Sequence, residues 1–332
     1  MATSIKHIYP LGFPWKTEDP FLFCVHHHDF FPKGNDDLGP DSSLEGRNIG
    51  NDFTIKDGWR MYHGHTVPGF PAHPHCGFET VTIVNKGFCD HSDSLGAAGR
   101  FGEGDVQWMT AGSGVQHSEM FPLLHRDKEN TLELFQLWLN LPKSKKYADP
   151  HFSMLWHEDI PVLHTDEAII KIVAGTFKGT NALPPAPDSW AADVENEVAI
   201  WNITLKKNKT LTLPKATDDI NRNLYFYAGD TLEIEGQKIS ATHGVSLVAS
   251  IDTLLQSGSE DAHILILQGK PIQEPVATYG PFVMNTQDEI QQVMQNFRAT
   301  QFGGWPWRYP DNVHAREKGR FAKYPDGTVI EK

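Results

Sequence analysis

The sequence predicts an all-β protein built as two barrels or sandwiches of related design, with few short helices and one C-terminal helix. Three observations lead there. Short strand-like runs bounded by Gly, Pro, Asn and Asp recur along nearly the whole chain. Helical periodicity is scarce. The strand–turn–strand pattern has the same character on both sides of the middle. At 332 residues the chain exceeds what one small core usually fills. Two domains are therefore expected, residues 1–150 and residues 151–332, with the tail of the second packing back on the first.

The strand candidates follow in chain order. The first half offers "ETVTIVNKG", "DVQWMTAG" and "LELFQLWLNLP", and the junction "AIIKIVAGTFKG". The second half offers "EVAIWNITLKKNKTLTLP", "LYFYAGDTLEIEGQKI", "HGVSLVAS" and "AHILILQGKPI". The linker is expected between Lys143 and Asp166, beginning at "PKSKKYADP", whose short basic run reads as a solvated loop. "NALPPAPDSW" reads as a loop inside the second domain. One helix is predicted in "NTQDEIQQVMQNFRAT": Asn285 or Thr286 is the N-cap, and Glu289 lies three residues after Thr286, a capping-box spacing. Ile290, Val293, Met294 and Phe297 recur at helical intervals after it. The Gly-, Pro- and aromatic-rich tail is expected to be irregular but packed.

Bulk properties exclude some functions. A formal net charge of −13 leaves no basic stripe for direct nucleic-acid binding. No run of 18 apolar residues spans a membrane. The stretch "MATSIKHIYPLGFPWKTEDP" has no apolar segment of a secretory signal. Three cysteines (Cys24, Cys76 and Cys89) are too few for a disulfide framework and fit a reducing compartment. The cytoplasm is expected, with the nucleus open in a eukaryote, and the protein is expected to be a monomer.

The chemistry concentrates in "FPAHPHCGFETVTIVNKG" and "GEGDVQWMTAGSGVQHSEMFP". Residues i and i+2 of a strand share a face, so His73 and His75 project together, with Gly77 and Glu79 continuing that face. Pro74 cannot donate to a central ladder, so the segment starts a strand or lies on an edge. His117 and Glu119 repeat the i, i+2 spacing on a second strand bracketed by glycines. Two such strands facing a barrel interior supply three imidazoles and a carboxylate from either Glu79 or Glu119. That nitrogen and oxygen set suits Fe(II), Mn, Co, Ni, Cu(II) or Zn, and differs from the Cys-rich structural zinc pattern.

The order HxH, Glu, Gly-bracketed strand, third His resembles the cupin arrangement. More specifically, "HPHCGFETVTIV", "DHSDSLGAAGRFGEGDVQWMTAGSGVQHSE" and "YGPFVMNTQDEI" resemble the pirin family. The resemblance extends through "DGWRMYHGHTVPGFPAHPH" and "LELFQLWLNLP". It implies a bicupin whose N-terminal barrel holds one metal, Fe(II) first, and whose C-terminal barrel holds none. It favours His73, His75, His117 and Glu119 as ligands, with Glu79 beside the site orienting a ligand imidazole. Pirins often carry Arg where this chain has Cys76, so a basic surface group is expected to be missing beside the metal strand.

The resemblance further implies a metal-dependent dioxygenase of the quercetin 2,3-dioxygenase type, taking O₂ and a flavonol or related aromatic. Glu119 would serve as base toward the substrate hydroxyl. The other reading is a redox-sensitive metal-loaded module that binds a protein partner, transcriptional or metabolic, without turnover.

Other residues have plainer expectations. Consecutive His26, His27 and His28 cannot all face one ion. His63 and His65 lack a complementary His-x-Glu, although His63 lies near the metal strand in sequence. His243 and His263 have no HxH mate. Trp108, Met109 and Phe121 read as core, and the cysteines as ordinary thiols.

Overall fold

The computed structural model describes residues 4–332; the first three residues of the N-terminal stretch read for a secretory signal lie outside them. The fold is all-β, with two cupin barrels and one α-helix among the described residues. The barrels fall in two compact units that are discontinuous in sequence. The larger comprises residues 26–136, 143–157 and 274–332, and the smaller comprises the N-terminal stretch through Val25 together with 137–142 and 158–273.

A single cut near residue 150 therefore does not describe the division. Strand Ile5–Pro10 pairs antiparallel with His243–Val248 in the smaller unit. The stretch expected to be a linker also folds: His151–Leu155 pairs with Val106–Thr110 in the larger unit. Lys146, in the run expected to be solvated, is buried and donates from Nζ to the Gly77 carbonyl at 2.8 Å.

In the smaller unit a seven-stranded sheet and a four-stranded sheet enclose an apolar core. Strands Ala199–Leu205, Asn221–Ala228 and Ala262–Gly269 contribute Trp201, Ile203, Leu224, Phe226, Ile264 and Ile266 to it. Strand Thr253–Ser257 alternates buried and exposed residues, the pattern of a sheet with one solvated face.

In the larger unit the strands Phe21–Phe31 (from His26 on), Asn130–Asn140 (up to Gln136), Phe78–Lys86, Val106–Thr110 and His151–Leu155 form a five-stranded sheet that accompanies a six-stranded one. The latter runs from Gly69–His75 at one edge through Val115–Met120, Phe88–Asp93 and Ala98–Gly102 to Phe321–Lys323 and Val329–Glu331. The tail is thus partly strand. The helix spans Gln287–Thr300, with Thr286 as N-cap and the Glu289 capping box formed. Its Ile290 and Val293 pack with Cys76, Phe282 and Phe302.

Candidate metal centre

The HPH strand is an edge strand, as Pro74 requires. Its pairing with Val115–Met120 holds the detail that builds the site. Phe70 stands opposite Glu119, but His73 stands opposite His117, so one extra residue is inserted between Phe70 and His73. Regular pairing would have put Ala72 opposite His117. The Ala72 amide instead finds the Pro310 carbonyl at 2.8 Å.

The insertion brings His73, His75 and His117 together. One ring nitrogen of each lies within 4.8 Å of the others, and the ring centroids are 4.5 to 4.8 Å apart. His73 Nδ1 lies 2.9 Å from the Pro71 carbonyl, which fixes the Nδ1–H tautomer and leaves Nε2 as a lone-pair donor. Neither ring nitrogen of His117 has a hydrogen-bond partner, although the side chain is fully buried. Burial disfavours the imidazolium in all three. It pulls His73 down to about 4, and holds His75 and His117 well below the usual range, with help from the neighbouring imidazoles.

Glu119 lies beside this cluster. Its Oε2 is 3.7 Å from His117 Nε2. Oε2 accepts from Gln136 Nε2 at 3.2 Å, and Oε1 accepts from the Thr82 hydroxyl at 3.0 Å. Burial raises the carboxyl pKa, and the Thr82 bond, the His91 ring and the Gln136 bond oppose the rise. Three uncharged imidazoles and one carboxylate, with orphaned buried nitrogen on His117, are a fitting donor set for a borderline divalent cation.

Glu79 is not beside the site. Gly77, at φ +86°, ends the HPH strand, and a Cβ there would lie 1.9 Å from the Val283 carbonyl oxygen. The chain then enters the other sheet at Phe78, where Thr82 reaches Glu119 and odd-numbered residues take the opposite face. Glu79 accepts from Trp108 Nε1 at 3.1 Å and Thr110 Oγ1 at 2.8 Å on that face. Cys76 is likewise not at the surface. It is fully buried under the helix, its thiol donating to the Gly112 carbonyl and pushed up to about 12 by burial, with Lys146 pulling the other way. Cys24 and Cys89 are also free and buried.

Other histidines take separate places. His27 is buried with Nδ1 2.8 Å from the Tyr62 hydroxyl, whereas His26 stacks on Phe135 and meets Glu133. His63 Nδ1 lies 2.7 Å from the Gly50 carbonyl, and its ring meets Phe70 edge-on, near the site's wall. His65 is exposed. In the smaller unit, His243 lies on the Ala241 carbonyl and His263 on Thr204. Trp108, Met109 and Phe121 are buried.

The sequence reading missed four side chains, Thr82, Gln136 and His91 around Glu119 and Asp93 opposite His117. His91 stands opposite Glu119 and Asp93 opposite His117, and the two are linked at 3.1 Å. The signals were present as an i, i+2 pair in "DHSD" and a polar residue inside the apolar run "LELFQLWL".

Comparison with known proteins agrees with this architecture. The pirin family model matches residues 43–139, and the model of the pirin C-terminal cupin domain matches residues 200–303. A Pseudomonas aeruginosa protein provisionally named quercetin 2,3-dioxygenase is 38% identical over 239 residues, covering 70% of this chain and 79% of the relative. Pirin of Rattus norvegicus is 30% identical over 247 residues, covering 73% and 80%. The crystal structure of quercetin 2,3-dioxygenase from Acinetobacter baumannii superposes with a TM-score of 0.68 at 25% identity, covering 91% of this chain and 96% of that one. The chain belongs to the pirin family of the cupin superfamily.

Proposed function

We propose that the protein is a metal-dependent dioxygenase of the quercetin 2,3-dioxygenase type, acting on a flavonol or a related aromatic. The observation that carries this reading is the convergence of three uncharged imidazoles beside a buried carboxylate. The likeness to a quercetin 2,3-dioxygenase over nearly the full chain supports it. His73, His75, His117 and Glu119 would hold the ion, and Fe(II) is the metal we assign to that donor set. Bound there, the ion supplies a Lewis-acid and redox centre for a flavonol hydroxyl and dioxygen.

The chain's own groups do the remaining work. The Pro71 carbonyl fixes the His73 tautomer, so its donor nitrogen is set before binding. Glu119 accepts the flavonol hydroxyl proton on a carboxylate oxygen. Phe70, with its ring 6.3 Å from that of His73 and 6.1 Å from that of Phe121, gives the site an apolar wall. Membrane residence has no support from the helix, since no helix among the described residues is long and apolar enough to cross. The three buried free thiols fit the cytoplasm.

Oxygen uptake by Fe(II)-loaded protein with quercetin tests the assignment. Matched consumption of oxygen and flavonol, lost in His117→Ala, is expected. Protein carrying a full metal complement that consumes no oxygen with any flavonol would overturn it in favour of a binding module.

A further inference from the structure

We propose that Gln136 and Thr82 are positioning residues that aim the Glu119 carboxylate at the three-histidine cluster. The inference rests on the metal-site reading above and adds residues from a second sheet to it. Glu119 comes from the six-stranded sheet, whereas Thr82 and Gln136 come from the five-stranded one.

The three side chains form one connected set. Gln136 Nε2 donates to Glu119 Oε2 at 3.2 Å, and Thr82 Oγ1 has one proton with two acceptors in reach, Glu119 Oε1 at 3.0 Å and Gln136 Oε1 at 2.6 Å. All three are buried. The oxygen that takes the Gln136 amide is the one facing His117, at 3.7 Å from Nε2. A carboxylate oxygen has more than one acceptor direction. Gln136 occupies one and leaves another open on the imidazole side. A glutamate has three side-chain torsions to order, and without these partners that cost would fall on metal binding.

Gln136 is also costly to keep without a role. It sits between Leu134 and Trp138 in strand Asn130–Asn140, and a buried amide is tolerated only where its hydrogen bonds are met. A plain structural role, pinning one sheet to the other, is the competing account. The two accounts differ in readout. A pin contributes to folding whether or not residue 119 is anionic, whereas a positioning residue acts on metal affinity through Glu119 alone.

Cobalt(II) titrated into chelator-treated protein tests this, since its visible absorption reports the coordination sphere. Gln136→Met and Thr82→Val are each expected to weaken Co(II) binding by about 10- to 100-fold and to change the absorption bands, with Thr82→Ser restoring both. In a Glu119→Gln background, Gln136→Met is expected to cost no further affinity, because coupled residues are non-additive. Equal losses in both backgrounds, or unchanged affinity in Gln136→Met where Glu119→Gln loses it, would overturn the positioning role and leave the ligand reading standing. Wild-type affinity in Glu119→Gln would remove the ligand reading, and the positioning role with it. If Gln136→Met does not fold, the Thr82→Val and Thr82→Ser pair, each made with and without Glu119→Gln, decides by the same criteria.

Discussion

The two barrels of this chain solve the same packing problem with different interiors. The smaller unit builds its core cluster from Ile, Leu, Val, Phe, Ala and one Trp, and buries Arg222 against Gln268 outside that cluster. The larger keeps an apolar cluster of Phe31, Val84, Leu132, Leu134, Phe152 and Met154, but also buries His91, Asp93, His117, Glu119, Thr82 and Gln136. Aliphatic burial is non-directional and stabilises on the order of 1.5–3 kcal/mol per large side chain. Buried polar groups stabilise only if every one is satisfied. One framework thus carries a filling optimised for packing and another optimised for a donor set.

Four experiments break or sharpen that contrast. The largest effect is expected for His73→Ala/His75→Ala. Elemental analysis of wild-type protein should find about one transition-metal equivalent per chain, and the double variant none. A second equivalent surviving in the variant would locate metal outside the larger barrel's cluster.

Ile264→Ala in the smaller unit comes next. This fully buried residue should cost about 2–5 kcal/mol in denaturant unfolding while leaving metal stoichiometry at the wild-type value. A loss of metal in that variant would mean the two interiors are not independent.

Chelation should lower the melting temperature without unfolding the chain, because the larger barrel retains its own apolar cluster. Bound metal stabilises by about 2.7 kcal/mol at a hundredfold excess over Kd. A random-coil circular dichroism spectrum after chelation would make the metal structural. The chelated protein should also be acid-sensitive, in a window set by its histidines. His73 falls from an ordinary 6.5 to about 4 on folding. Between those values the unfolded chain binds more protons, so stability is full above pH 6.5 and is lost as pH falls toward 4. An acid-insensitive chelated protein would contradict the burial of neutral imidazoles.

The smallest effect on metal is expected for Glu79→Gln. Its partners Trp108 and Thr110 lie on the face opposite Thr82, so metal affinity should stay at the wild-type level while the melting temperature drops. Metal loss here, with Glu119→Gln still loaded, would reverse the ligand assignment.

The strand pattern was legible because period-two alternation and turn residues are local properties. So were the helix, through Thr286 and Glu289, and the likeness of HPH and HSE to a ligand set. What resisted was long-range register. Nothing in "HPHCGFE" says that Gly77 moves the chain into another sheet and turns Glu79 away, because that depends on Val283, two hundred residues later. Cys76 reads as a surface position until the helix that covers it is placed. Gln136 looks like an interruption in an apolar strand until Glu119 stands across from it.

The extra residue between Phe70 and His73 makes the site a matter of counting as much as of composition. A strand has two faces, so the chain here carries a binary frame, and the insertion sets its phase. Adding a residue to "FPAH" would have to widen the bulge or shift His73 off His117. Deleting Ala72 would keep every histidine in the sequence and leave His73 opposite His117 in a regular ladder, at the loss of the Ala72 amide bond to the Pro310 carbonyl. Point substitutions of Pro71 or Ala72 are, by comparison, silent to the frame. Length in this segment is accordingly constrained in one direction: loss of the extra residue leaves His73 in phase with His117, and gain of another does not.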